Sequence, residues 1–177
     1  GAGTSTFQGT GSPNGTDSNQ GIYITGSGTQ VLASFGATNF SGTGGGTGNL
    51  NGGIRVDLGA TVAGSNDASI SMTGTGANGT NNSEGVAILS GASVSTVSGG
   101  LTFNGDASGT GNSGVHISDL GSTVTTDTGT ISATGIASGT GSSNQGIFIE
   151  NDAIVSQTEV GAGTSTFQGT GSPNGTD

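Results

Sequence analysis

GIYI at residues 21–24 returns as GIRV at 53–56, GVAI at 85–88, GVHI at 114–117 and GIFI at 146–149, at spacings of 32, 32, 29 and 32 residues. Each tetrad is a glycine followed by an apolar, a variable and a second apolar residue, and the apolar members are β-branched. That alternation marks a short strand with one buried face. Side chains point to opposite faces in turn along a strand. Ile22 and Ile24 are therefore expected inside, with Ile54 and Val56, Val86 and Ile88, Val115 and Ile117, and Ile147 and Ile149 as their equivalents. The variable members Tyr23, Arg55, Ala87, His116 and Phe148 are expected to face solvent or a partner.

Two further columns keep step with the tetrads. One precedes them, with Phe7, Phe40, Met72, Phe103 and Ala133 each followed two residues later by glycine, and it restarts at Phe167. The other follows them and ends at Val31, Val62, Val94, Val124 and Val155. Three strand signals in a period near 32 residues predict an all-β fold, a parallel β-solenoid with three short strands per coil. A single coil of that kind cannot bury its own face, but stacked coils share a narrow continuous core. Right-handed coiling is the default. At about 4.8 Å per coil, five coils rise about 24 Å. Helix is not expected, since Gly and β-branched residues disfavour it and no apolar spacing of three and four appears. The longest and most variable stretch of each coil, between the Phe column and the tetrad, is rich in Gly, Asn and Ser. It predicts a surface loop stacked along one edge.

Residues 1–17, GAGTSTFQGTGSPNGTD, recur unchanged at 161–177. The chain reads as one continuous solenoid segment over 1–177, with 1–160 a long repeat of five coils and 161–177 the start of the next. Identity over that length implies a recent duplication, and the chain is expected to be an excerpt of a longer array.

Composition narrows function. Of 177 residues 40 are Gly, 28% are hydrophobic and 7% charged, too little apolar surface for a thick globular core, so only the strict period separates this chain from disorder. One Lys or Arg stands against 11 Asp and Glu. Binding to nucleic acid or to anionic lipid, which needs clustered cations, is not expected on that balance. There is no Cys, so disulfides and thiolate metal sites are excluded. No apolar run approaches the roughly 20 residues that cross a bilayer.

The tetrads, together with GTG-type loops such as GTGGGTGNLNG at 42–52, resemble those of the very large filamentous-haemagglutinin-like and "β-strand repeat" surface exoproteins of bacteria. The resemblance covers the whole chain and implies a secreted or surface-anchored fibre, extracellular or at the cell surface, serving attachment, aggregation or matrix. It carries over no catalytic residues and no cofactor.

His116 is the single His, with no nucleophile motif beside it, and reads as an exposed decoration. A lyase or hydrolase of acidic sugars needs clustered carboxylates and several cations, which Arg55 alone does not supply. No enzymatic activity is expected. Asp119 with Glu150 and Asp152 in the next coil forms a weak candidate for Ca²⁺, which takes six to eight oxygens; solvated charge is the favoured reading, and Asp57 is the same kind of residue alone in its coil. Tyr23 and Phe148 are candidate contact residues, and the long repeat makes them neighbours, because the tetrad after Phe148 is the next copy of Tyr23. Asn14, Asn78 and Asn81 open glycosylation sequons. The expected role is a structural extracellular filament that associates with itself head to tail or laterally. The alternative is an adhesin binding glycans or surfaces along the loop edge.

Overall fold

A computed structural model describes residues 3–159, 161 and 163–172. Among them every regular element is a strand. The five periods wind into a parallel β-solenoid of about 32 residues and three strands per coil. The first sheet stacks β1 (Thr4–Thr10), β4 (Ala37–Thr43), β7 (Ser69–Gly79), β10 (Leu101–Gly109), β13 (Ile131–Ala137) and β16 (Thr166–Thr170). The second holds the tetrads as β2 (Ile22–Thr25), β5 (Ile54–Asp57), β8 (Val86–Ile88), β11 (Val115–Ile117) and β14 (Ile147–Ile149). The third holds the Val column as β3 (Gln30–Ala33), β6 (Thr61–Gly64), β9 (Ser93–Thr96), β12 (Thr123–Thr126) and β15 (Ile154–Gln157).

Register follows the sequence columns. Phe7, Phe40, Met72, Phe103, Ala133 and Phe167 pair in succession, as do Ile22, Ile54, Val86, Val115 and Ile147, and Val31, Val62, Val94, Val124 and Val155. Phe40, Met72, Phe103, Ile54, Val56, Val86, Ile88, Val115, Ile117, Val62, Val94 and Val124 are buried in one core cluster. Burial of each such side chain contributes about 1.5–3 kcal/mol. Among the described residues the first coil has no neighbour on its outer side, and the fifth has one only in the first sheet, where β16 pairs with β13. Phe7 and Ile149 are accordingly exposed, while Ile22, Val31, Ile147 and Val155 are half-buried.

The core is wider than the three columns. Ile70, Leu101 and Ile131, each two residues before the Phe column, are fully buried. Sheet one therefore contributes two inward residues per coil, as period-two alternation requires.

The expected surface loop proves to be two layers. After the Phe column the chain runs straight on, and the segment leading into the tetrad returns against it, backbone on backbone. A side chain on Gly42, Gly74, Gly105 or Gly135 would collide with the carbonyl of Gly53, Gly85, Gly114 or Gly146. Two facing glycine columns thus pinch each coil and separate the apolar core from a polar fin. Inside the fin Asn51, Ser83 and Asn112 are fully buried. They form a ladder in which each backbone N–H donates to the side chain one coil on: Asn19 to Asn51 Oδ1 at 2.9 Å, Asn51 to Ser83 Oγ at 3.2 Å, Ser83 to Asn112 Oδ1 at 3.0 Å and Asn112 to Asn144 Oδ1 at 3.3 Å. The loop is exposed only on its outside, because buried peptide groups must find partners and these side chains supply them.

Candidate functional site

The outer face of the tetrad sheet carries the chain's unusual side chains. Pairing in register places Tyr23, Arg55, Ala87, His116 and Phe148 in one column along the solenoid. Only Tyr23, on the first coil, is well exposed. Ala87 is buried, contrary to its expected outward exposure, because its methyl lies between the longer side chains of Arg55 and His116 in the coils on either side.

His116 is not a loose decoration. Its side chain is 14% exposed and lies between two carboxylates, Nδ1 at 3.4 Å from Glu84 Oε1 and Nε2 at 3.2 Å from Glu150 Oε1. Its ring stacks on Phe148, with centroids 5.2 Å apart and planes at 18°. Glu84 immediately precedes the tetrad of one coil, and Glu150 immediately follows the tetrad two coils later. The imidazole therefore ties three successive coils together. Burial acts to lower its pKa, but the bonds and charge of Glu84 and then Glu150 outweigh burial and raise it above 6.5. The imidazolium donates from both nitrogens at once, which a neutral ring cannot do.

Two coils away Arg55 is paired with Asp57, Nη2 to Oδ2 at 2.8 Å and Nε to the same oxygen at 2.8 Å. Asp57, read from sequence as standing alone, is nearly buried and also accepts the N–H of Leu58, whose φ is +53°. The carboxylate thus serves a tight turn.

The proposed calcium trio is not brought together. Asp119 caps the neighbouring turn, its Oδ2 accepting from Ser90 N at 3.0 Å and Ser90 Oγ at 3.3 Å. Glu150 is engaged with His116, and Asp152 lies exposed on the turn beyond it. Among the described residues no three His, Cys, Asp or Glu side chains gather as metal ligands. Tyr23 and Phe148 lie at opposite ends of the outer column within this chain, with Arg55, Ala87 and His116 between them. Asn14, Asn78 and Asn81 are all exposed on the fin.

Between fin and tetrad sheet opens a cleft of about 250 Å³, lined by Glu84, Ser113, His116, Gln145 and Phe148 among others. Its chemistry is polar and acidic with one aromatic wall. A shallower groove of about 410 Å³ runs on the third sheet past Leu32, Ala63, Ser95 and Val97 and is mainly apolar.

Sequence reasoning missed both the His116 clamp and the Asn ladder, though each had a signal. Asn19, Asn51, Ser83, Asn112 and Asn144 all sit two residues before a tetrad glycine. Glu84 and Glu150 lie 32 and 34 residues from His116, one coil to each side.

No family model, no curated protein and no solved structure matches the chain.

Proposed function

We propose that this chain is a structural segment of an extracellular filament or stalk, of the kind the filamentous-haemagglutinin-like resemblance implies, in which length is generated by adding identical solenoid repeats. One observation carries the reading. β16 repeats residues of β1 and pairs in parallel on β13, Phe167 over Ala133 and Gly169 over Gly135, continuing the same columns. A new copy therefore starts on the axis of the old one without a change of register. The side chains suit passive load: the one Arg and the one His are both held in ion pairs, and Cys is absent.

The test is scattering and cryo-electron microscopy on two, four and eight tandem copies of residues 1–160. A filament reading requires a constant cross-section and about 24 Å of added length per copy. Copies that behave as beads on a flexible string would refute it.

The adhesin alternative draws support from the cleft, where Phe148 offers an aromatic edge beside Gln145, Ser113 and Glu84. It requires saturable binding to immobilised glycans that Phe148→Ala abolishes. An inert stalk shows none.

A further inference from the structure

We infer that the cleft between fin and tetrad sheet binds an amino sugar, whose ammonium group sits on Glu84 and whose ring lies along Gln145 and Phe148. The inference rests on the adhesin reading of that cleft and names its ligand class.

Glu84 carries the argument. Its side chain is 4% exposed, yet it lines the cleft. One carboxylate oxygen, Oε1, is taken by His116 Nδ1 at 3.4 Å. The other, Oε2, accepts no hydrogen bond from the chain. Among the described residues no side-chain nitrogen or oxygen sealed from solvent lacks a partner. This oxygen therefore keeps a path to solvent, and the cleft is the space it opens on. A nearly buried carboxylate oxygen is costly to leave unpaired, and it is a strong acceptor for a ligand that brings a donor.

Charge and walls choose the donor. Two carboxylates, Glu84 and Glu150, stand against one imidazole, so the cleft stays negative in either protonation state of the ring. An acidic sugar is repelled there and a cation attracted. The carboxylates face opposite nitrogens of His116, which keeps them from converging on one metal ion. An ammonium needs no such shell, being a compact charge with three donors and no acceptor. Beyond Glu84 the walls are hydroxyl and amide. Ser113 donates to Gln145 Oε1 at 3.4 Å, which leaves the Gln145 amide N–H groups open, and the Asn82 side chain bonds to nothing in the chain. Such walls suit the hydroxyls of a sugar ring better than the methylene stem of a lysine, and Phe148 offers its edge to the ring's C–H groups. The volume of about 250 Å³ falls below the roughly 300–1,000 Å³ of drug-sized sites and suits a single ring.

The seat lies away from the ends of the solenoid. Glu84, Ser113 and His116 belong to the third and fourth coils, each with a coil on either side. The fifth coil adds Gln145 and Phe148, which rest on Ser113 and His116. A sixth coil would stand three coils from Glu84, about 14 Å along the axis, and would lengthen the cleft without filling that seat.

The single His gives one imidazole to follow by proton NMR. Glucosamine, N-acetylglucosamine, glucose and lysine amide are titrated into the 177-residue chain at mildly acidic pH, where the amines are charged. Glucosamine should move the His116 ring signals saturably, with a Kd about tenfold or more below those of glucose and N-acetylglucosamine. Glu84→Gln should remove that preference while circular dichroism shows the fold retained. Asn82→Asp covers the case in which Glu84→Gln does not fold. It adds a carboxylate on the exposed rim, at φ +53°, where Asp is tolerated. It should tighten glucosamine about two- to fivefold and leave glucose unchanged. Glucose bound as tightly as glucosamine overturns the inference and leaves the adhesin reading standing on a neutral ligand. Lysine amide bound as tightly as glucosamine also overturns it, since charge alone is then recognised. Ring signals that no sugar moves overturn both the inference and the adhesin reading, and leave the filament reading untouched.

Discussion

Gly74→Ala probes the pinch between core and fin. In the central coil a Cβ on Gly74 would fall onto the Gly85 carbonyl, 2.7 Å from its carbon and 3.1 Å from Val86 Cγ2. Carbon pairs prefer about 3.5–4.0 Å, so relief needs a shift of roughly 1 Å. Neither side is free to give it. Gly74 is held between Gly42 and Gly105 in the first sheet, and Gly85 N–H is bonded to Ser113 O at 3.2 Å. Overpacking costs about 1–3 kcal/mol where neighbours relax, and backbone clamped from both sides places this site near about 3 kcal/mol. With a urea dependence of about 2 kcal/mol per molar, the midpoint falls by about 1.5 M. Gly100→Ala is the control. Its Cβ would meet only exposed Thr130, the hydroxyl at 3.3 Å and the carbonyl oxygen at an ordinary 3.8 Å, and loss of unfolded-state freedom should leave it neutral or stabilised by up to about 1 kcal/mol. Urea titrations followed by circular dichroism compare the two. If Gly74→Ala unfolds at the parent midpoint, the close approach of the glycine columns is not a constraint and the two-layer fin is wrong.

Three other substitutions test separate parts of the structure. Asn51→Ala removes the acceptor of Asn19 N–H and the donor to Thr16 O, whose bond is 2.7 Å. A loss of about 1–3 kcal/mol is expected, together with faster amide hydrogen exchange at Asn19; unchanged protection there would mean that water replaces the ladder. Phe103→Ala, in a fully buried position, should cost about 3–5 kcal/mol in thermal unfolding. Phe7→Ala should cost less than half of that, because Phe7 is 41% exposed on the open edge. Equal losses would argue against a core that thins at the ends. For His116 the folded pKa is raised, by Glu84 and Glu150 against the opposing effect of burial. Its stabilisation is therefore complete below the unfolded pKa near 6.5 and is lost as pH rises through the folded value. The stability difference between parent and His116→Gln should accordingly shrink as pH climbs from about 6.5. A difference that stays flat over that range would mean the two carboxylates do not raise the folded pKa, and one that grows would mean that burial wins and lowers it.

The architecture was legible because a solenoid writes its period into the chain. The tetrads, the Phe column and the Val column each named a sheet, and their offsets named the register that Phe40 and Phe103 or Ile54 and Val86 adopt. Alternation told which member of each tetrad points inward. What alternation reads is one strand, and it carries no information on what lies across from it.

The sequence by itself determined the coil length, the three strands, the inward residues and the acidic charge balance. Only the tertiary structure decided that Gly74 and Gly85 touch, that the Asn-rich loop is a buried ladder, and that Glu84 and Glu150 close on His116 from neighbouring coils. These are contacts across the coil or between coils. The Phe, Ile and Val columns could be read because hydrophobic burial follows the pattern along a strand, whereas a carboxylate or an amide takes its role from the single atom that stacking places within about 3 Å of it.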